Sequence, residues 1–370
     1  MSEWKEYKLG EIASFKTGKL NSSAAVENGK YPFFTCSPVT LSIDKYEYNQ
    51  KAILLAGNNA EGNFNIKYYE GKFNAYQRTY IIESNANICD LKFLYYSLQL
   101  NLLEFKNISQ GTSTRFLTSA ILNSFNIRLP LLAEQKRIAS ILGSLDDKID
   151  LLHRENETLE AMAETLFRKW FIEDAKDEWE EGTLDDILSI KGGTTPSTKE
   201  PKYWNGKIAW TSPRDVTSLN GIYLFDTDRK ITEDGLKQIS SGLLPAGTLL
   251  MSSRAPVGAL AYAEIPLAIN QGYIAIIDNK GYSKEFIYLW LKLNMDLVRS
   301  YSNGSTFMEI SKSAFKALNI QIPPQKNVED FSKIIKPLFN KIKLNEQQII
   351  NLGRIKNKIL PKLMSNEFKI

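Results

Sequence analysis

The chain is written twice, and that constrains its fold more than any other feature. Trp4, Leu9, Ile12, Ser14, Phe15, Lys16 and Gly18 recur at a constant shift of 175 as Trp179, Leu184, Ile187, Ser189, Ile190, Lys191 and Gly193. Ser37-Pro38 keeps that shift at Ser212-Pro213, and Ile53-Leu54-Leu55 with Gly62 matches Leu249-Leu250-Met251 with Gly258 at a shift of 196. From Gly111 onward the shift is 193: Gly111-Thr112-Ser113 falls on Gly304-Ser305-Thr306, Asn126-Ile127 on Asn319-Ile320, and Pro130 on Pro323. Self-similarity of this kind is the signature of a duplicated structural unit. The 370 residues are therefore two copies of one plan.

Each copy divides at its proline. Residues 1–130 and 179–323 hold short β-rich runs, such as Lys51 to Leu55, Thr79 to Ile82 and Gly272 to Ile277, separated by Gly, Asn, Ser and Pro turns. Each also holds an aromatic helical stretch, Leu91 to Leu103 and Lys284 to Leu297. Residues 131–178 and 324–370 change character and carry a long helical pattern.

In the first of these, apolar positions alternate by four and three: Ile138, Leu142, Leu145, Ile149, Leu152, Asn156, Leu159, Ala163, Leu166, Trp170. The second runs Phe331, Ile335, Leu338, Ile342, Asn345, Ile349, Leu352, Lys356, Ile359, Leu363. A 3.5-residue period sustained this long predicts a coiled-coil seam. The polar interruptions Asn156 and Asn345 decide the direction. Aligned antiparallel at both ends, facing residues have numbers summing to 501, so Asn156 meets Asn345. A parallel register would set each buried amide against an apolar side chain. Charge agrees, since 131–178 carries 7 basic and 12 acidic residues while 324–370 carries 10 and 4. The expected object is a rod of ~50 Å at 1.5 Å per residue, with a pseudo-twofold axis relating two mixed domains at its ends. Symmetry of that kind suits a DNA binder reading two half-sites.

Composition excludes more than it asserts. The 43% apolar and 24% charged fractions are those of a globular chain. His153 is the one histidine, too few for a His/Cys zinc set with its ligands or a Ser-His-Asp triad, and it reads as a solvated helix residue. Two cysteines, Cys36 and Cys89, read as reduced thiols of a cytoplasmic protein. No window approaches a membrane span, and Met1-Ser2-Glu3-Trp4 lacks a basic leader. Lys191-Gly192-Gly193-Thr194-Thr195 and Lys16-Thr17-Gly18 lack the order of a nucleotide-binding phosphate loop, though lysine beside threonine hydroxyls suits a DNA phosphate. The net charge of +4 does not by itself announce a nucleic-acid partner. The loops are richer in information. Gly57 to Gly62, Tyr76 to Thr79, Ser252 to Pro256 and Asn270 to Gly272 concentrate Asn, Gln and Arg, the side chains that pair with adenine and guanine edges.

These segments carry a resemblance. Lys191 to Ser197 followed by Tyr203-Trp204-Asn205-Gly206 and Ile208-Ala209-Trp210, Ser252 to Gly258, Asn270-Gln271-Gly272, and Gly304-Ser305-Thr306 leading to Ile320-Gln321-Ile322-Pro323 resemble the specificity subunit of type I restriction-modification systems. Gly57-Asn58-Asn59 and Tyr76 to Thr79 look like a variant of the same domain. Pro130, Glu134-Gln135, Ile138, Leu142, Leu145, Asp146 and Ile149 are similar to the family's central spacer. The second spacer departs from it, with Gln325-Lys326-Asn327 where a Glu-Gln pair is usual, which bears on partner contacts.

The resemblance implies an α+β protein: two mixed α/β target-recognition domains, 1–130 and 179–323, separated by two long helices, 131–178 and 324–370, forming an antiparallel coiled coil. It implies recognition of an asymmetric, bipartite double-stranded DNA site and no catalysis in this chain. Two modification subunits would bind S-adenosylmethionine and methylate adenine, and restriction/translocase subunits would use ATP and Mg. The expected DNA-contacting residues of the first half are Lys16, Thr17, Asn58, Asn59, Gln77, Arg78, Thr112, Ser113 and Arg115. In the second half they are Lys191, Thr194, Thr195, Arg214, Ser253, Arg254, Asn270, Gln271, Ser305 and Thr306. The expected coiled-coil contacts are Leu142, Leu145, Ile149, Asn156 and Leu159 against Ile342, Asn345, Ile349 and Leu352. The competing reading is a coiled-coil scaffold whose globular halves bind a protein or glycan. Binding insensitive to salt would favour it, because phosphate contacts release counterions.

Overall fold

The computed structural model describes residues 4–176, 178–254, 256–304 and 308–365. The chain separates into two compact units, Met1–Ile149 with Asn351–Ile370, and Asp150–Ile350. Each unit thus takes one mixed domain, part of the long helix Leu132–Arg168 and part of the long helix Gln325–Met364.

In the first unit, six strands lie in the order Ala13–Thr17, Thr79–Ser84, Tyr48–Ala56, Ile66–Ala75, Tyr31–Phe34, Leu41–Ile43. All neighbours are antiparallel except Tyr31–Phe34 against Ile66–Ala75. The central strand is buried on both faces, as its apolar run requires. Ile53 and Leu55 enter a core with Phe93, Leu94 and Leu98 of the helix Leu91–Leu100, while Ala52 and Leu54 pack with Phe34 and Phe73 on the other side. The first core extends to Ile138 and Leu142 of one long helix and Leu360 and Leu363 of the other.

The second unit repeats this plan with one break. Ser189–Lys191, Tyr273–Asp278, Leu249–Ser252, Leu260–Ala263 and Tyr223–Leu224 form one sheet, and Arg229–Ile231, Trp204–Thr211 and Leu267–Ile269 another. The counterpart of the continuous strand Ile66–Ala75 is here split into Leu260–Ala263 and Leu267–Ile269. Pro266 sits in the gap and has no N–H for a ladder.

The duplication reaches individual hydrogen bonds. Lys5 pairs with Leu129 and Glu180 with Ile322 in equivalent two-stranded ribbons. Leu9 N–H donates to Phe125 O at 2.8 Å, and Leu184 N–H to Leu318 O at 3.0 Å. A Cβ on Gly18 would lie 1.9 Å from Ala75 O, and one on Gly193 1.8 Å from Ile269 O. Both glycines are there because a backbone carbonyl crosses too close for any side chain.

The aromatic stretches expected as single helices are each broken at an equivalent asparagine. Leu91–Leu100 is followed by Leu102–Ile108, and Lys284–Leu293 by Met295–Ser300. Asn101 and Asn294 turn their amides back onto Ser97 O and Trp290 O. This is local competition for helix carbonyls that Asn makes available.

The long helices are antiparallel within each unit. In the second unit, Asn345 Nδ2 donates to Asn156 Oδ1 at 2.8 Å, and Trp170 lies 5.8 Å from Phe331 between ring centroids; both pairs sum to 501. Lys341 pairs with Glu155 at 3.4 Å there, and in the first unit Lys356 pairs with Asp146 at 2.6 Å. Leu142, Leu152, Asn156, Ile342 and Asn345 are buried, and Leu145, Ile149, Leu159, Ile349 and Leu352 are half-buried. Asn345 also donates to Glu155 Oε2 at 2.9 Å, so the pair is not symmetric. Asn156→Leu leaves Asn345 one partner, whereas Asn345→Leu orphans the buried Asn156 oxygen at about 1–3 kcal/mol. Thermal melts should rank Asn345→Leu as the worse single change, with the double Leu variant milder than that single. Additive losses in the double variant would contradict the pairing.

Further groups fasten each helix to its own domain. Gln135, 1% exposed, donates to Ile88 O and Pro130 O and accepts from Asp90 N–H, at 2.9–3.0 Å. Its counterpart at a shift of 193 is Val328, equally buried. The departure of the second spacer from the expected pattern is therefore a polar joint replaced by an apolar one inside the chain. Tyr96 donates to Asp146 Oδ2 at 2.7 Å. In the second unit, Glu346 accepts from Ile222 N–H and Tyr223 N–H at 2.8 and 3.0 Å. Burial pushes its carboxyl up to about 7 against the opposing pull of those two amides. His153, expected in solvent, is half-buried with Nε2 3.4 Å from Asn220 Nδ2. Both cysteines are free thiols, Cys36 half-buried and Cys89 buried. Among the described residues no helix is long and apolar enough to cross a membrane, and no cluster of His, Cys, Asp and Glu is arranged to hold a metal ion.

Candidate nucleic-acid interface

In the first unit three loops converge at one end of the sheet. Asn58–Asn59 pairs antiparallel with Arg115–Phe116, Asn58 opposite Phe116 and Asn59 opposite Arg115. Gly57 N–H donates to Arg78 O at 2.8 Å, and Leu117 N–H to Gly57 O at 2.9 Å. Gln110 and Phe116 exchange both backbone hydrogen bonds, at 2.7 and 3.0 Å, closing the loop that carries Thr112 and Ser113. The Arg78 guanidinium lies over the Phe116 ring, 5.4 Å from its centroid, an arrangement that holds an exposed cation in place. Gln77, Arg78, Thr112 and Ser113 are exposed on this surface.

The second unit builds the same frame. Ser253 N–H donates to Gly272 O at 2.8 Å, Ile310 N–H to Ser253 O at 3.0 Å, and Asn303 and Glu309 exchange both backbone bonds at 2.9 and 3.0 Å. Arg254 pairs with Glu309 across this frame, and its Nε lies 3.0 Å from Glu309 Oε1. Thr195 Oγ1 donates to Gln271 Oε1 at 2.7 Å. Exposed Arg214 follows Pro213, whose ring packs where a side chain on Gly272 would fall. The loop Thr194–Ser197 is pinned by two indoles: Trp210 Nε1 donates to Thr194 O and Trp204 Nε1 to Ser197 O. The two tryptophans stack edge-on at 5.1 Å, and the Arg229 guanidinium sits 3.5 Å from the Trp204 centroid.

The remaining candidates divide by what already holds them. Asn59 Oδ1 accepts from the N–H groups of Glu61 and Asn63, and Asn270 Oδ1 from Gly272 N–H; both brace turns, a common role of asparagine. Lys16 pairs with Glu83 at 2.5 Å and holds that carboxyl below the usual carboxylate range. Thr17 is exposed at the end of the same strand. Lys191 reaches Ser241 O at 3.4 Å, and Thr194 Oγ1 bridges Gln238 O and Ser240 N–H. Arg115 Nη1 donates to Ser109 O at 3.1 Å. Ser253 is buried, its backbone serving the frame. Ser305 and Thr306 lie outside the described residues.

Sequence reasoning missed Phe116 and Glu309, the hubs on which the two arginines rest. A signal was present, because they occupy equivalent places at a shift of 193. It missed Glu346 as well, which occupies no seam position and whose backbone partners lie more than 120 residues away.

Comparison with known proteins agrees with this architecture. The sequence profile of the type I restriction modification DNA specificity domain matches residues 1–161 and again 176–354. The MjaIX specificity subunit of Methanocaldococcus jannaschii is 33% identical over 208 residues, a match spanning 56% of this chain and 46% of that one, so less than half of that relative's length is covered. The EcoDI specificity subunit of Escherichia coli is 24% identical over 389 residues, covering 96% of this chain and 86% of the other. The crystal structure of the type I S subunit from M. genitalium shares the fold, with a TM-score of 0.64 over 98% of this chain and 96% of that one, at 20% identity. Matched in both of its halves, the chain belongs to the type I restriction-modification DNA specificity family.

Proposed function

We propose that this chain selects the bipartite DNA site for a methyltransferase/endonuclease assembly, one half-site being read by residues 1–130 and the other by 179–323. The observation that carries this reading is the loop frame built twice, with the same backbone hydrogen bonds but different polar side chains on it. A constant frame with variable side chains is what reading two unlike half-sites requires. The weak net charge fits partners that share the phosphate contacts. The chain itself is non-catalytic in this account and works in the cytoplasm. Base flipping and methylation belong to two modification subunits that bind S-adenosylmethionine, and translocation and cleavage belong to restriction subunits using ATP and Mg.

A repeated feature of the long helices supports a partner present in two copies. Ile141, Leu151 and Met162 of the first are exposed, and so are their counterparts at a shift of 193, Ile334, Leu344 and Ile355 of the second. Spacings of ten and eleven residues are close to three helical turns, so within the second unit Leu151 with Met162, and Ile334 with Leu344, lie off the seam on one side of their helices. Leu151→Asp and Leu344→Asp should each release one modification subunit from complexes purified on this chain and weighed by native mass spectrometry, and the double variant both. Two subunits retained by the double variant would refute the docking assignment.

The function is tested by methylome sequencing of host cells with and without the gene. One bipartite adenine-methylated motif is expected to vanish on deletion. An unchanged methylome would overturn the reading.

A further inference from the structure

Superimposing the two loop frames residue by residue sets Asn58 opposite Phe116 in one and Arg254 opposite Glu309 in the other. Four backbone relationships agree in this alignment: Gly57 with Arg78 against Ser253 with Gly272, Leu117 with Gly57 against Ile310 with Ser253, and the two exchanged bonds of Gln110 with Phe116 against those of Asn303 with Glu309. Positions 58 and 254 are therefore one structural position, filled by an amide in one domain and a guanidinium in the other.

Their surroundings separate them from phosphate contacts. Arg254 is held at Nε by the Glu309 carboxylate, with both side chains about half exposed. That carboxylate repels a phosphate but leaves the two terminal nitrogens for a neutral acceptor edge. Arg78, by contrast, rests on an aromatic ring and keeps its charge for a phosphate. Asn58 carries a different mark: its Oδ1 is buried with no hydrogen-bond partner. Such an orphan is costly in a folded protein, and turning the amide outward onto an external donor would relieve that cost.

We propose that residues 58 and 254 are the paired base-reading positions of the two domains, Arg254 contacting a guanine through its terminal nitrogens with Glu309 as its brace, and Asn58 contacting an adenine through its amide. Arginine matches guanine O6 and N7, and asparagine matches adenine N6–H and N7. The inference rests on the DNA-specificity reading above and refines it to single positions.

The test is selection from a randomised duplex library by the full-length chain, purified with the subunits it assembles with in its own host, followed by sequencing of the bound pool. Absence of any bipartite enrichment with the unaltered protein would bring down the specificity reading itself. Given such enrichment, Arg254→Gln and Arg254→Lys should each lower the preference for guanine at one position of one half-site by about tenfold or more, leaving the other half-site intact. Asn58→Ala should relax one adenine in the opposite half-site. The lysine variant keeps the charge without the fork, so an unchanged pool from Arg254→Lys would make Arg254 a phosphate contact and overturn the proposal. Loss of a whole half-site in both Arg254 variants would make it a structural residue and overturn it equally.

Discussion

Phe331→Ala is expected to lower the melting temperature of the unit Asp150–Ile350 by roughly 6–20 °C. Phe331 is fully buried and its ring lies 4.8 Å from Phe171, 5.8 Å from Trp170 and 5.9 Å from Phe167. This cluster joins the end of one long helix, the start of the other and the helix Lys284–Leu293 through Phe286, which packs 4.9 Å from Phe171 and 5.4 Å from Phe167. Removing a ring from such a place costs about 3–5 kcal/mol, through lost burial and a cavity that rigid neighbours do not refill. At about 2–4 °C per kcal/mol for a unit of this size, the shift is large enough to read by calorimetry. Phe331→Leu keeps most of the volume and should lose less than half as much. The exposed Lys333 on the same helix, ion-paired only at the surface with Asp330, should tolerate alanine within about 0.5 kcal/mol. A Phe331→Ala melt within 3 °C of the parent would mean that the aromatic cluster does not hold the helices to the domain.

Much of this fold was legible in the sequence, for a physical reason. Two buried amides in largely apolar seams satisfy each other in one register, and that register is the one observed at Asn156 and Asn345. The sign of the charge on each helix agreed because facing positions such as Glu155 and Lys341 exchange it. The repeat at fixed shifts foretold equivalent glycines, whose need is visible at Gly18 and Gly193. What was not legible depends on distant backbone. An asparagine that braces its own turn, such as Asn59 or Asn270, has the same sequence context as one whose amide oxygen finds no partner within the chain, such as Asn58. The split of one strand near Pro266 changes which sheet a residue joins without disturbing local periodicity. The hubs Phe116 and Glu309 acquire meaning only when their loop closes on a strand some fifty residues away or more.

The second large effect concerns function and is close to all-or-none. The span 1–130, proposed above to read one half-site, stops just before the helix Leu132–Arg168, and the loop frame within it is closed by its own hydrogen bonds, from Gly57 to Arg78 and Leu117. Exchanging this span for the first domain of another type I specificity protein replaces one complete set of side chains while leaving the other frame, around Ser253, Gly272 and Ile310, untouched. Among the described residues the hydrogen bonds of the two frames have no residue in common, so specificity contacts built on them are expected to contribute independently. Gln135 crosses the exchange boundary, joining the helix to Ile88 O and Asp90 N–H, so the incoming domain must present equivalent backbone groups there.

The most direct measurement is therefore the methylome of host cells in which this exchange replaces the native gene. The expected result is a bipartite motif with one half replaced by that of the donor and the other half unchanged. A motif altered in both halves, or in neither, would contradict the claim that each copy of the repeated unit reads its own half of the site.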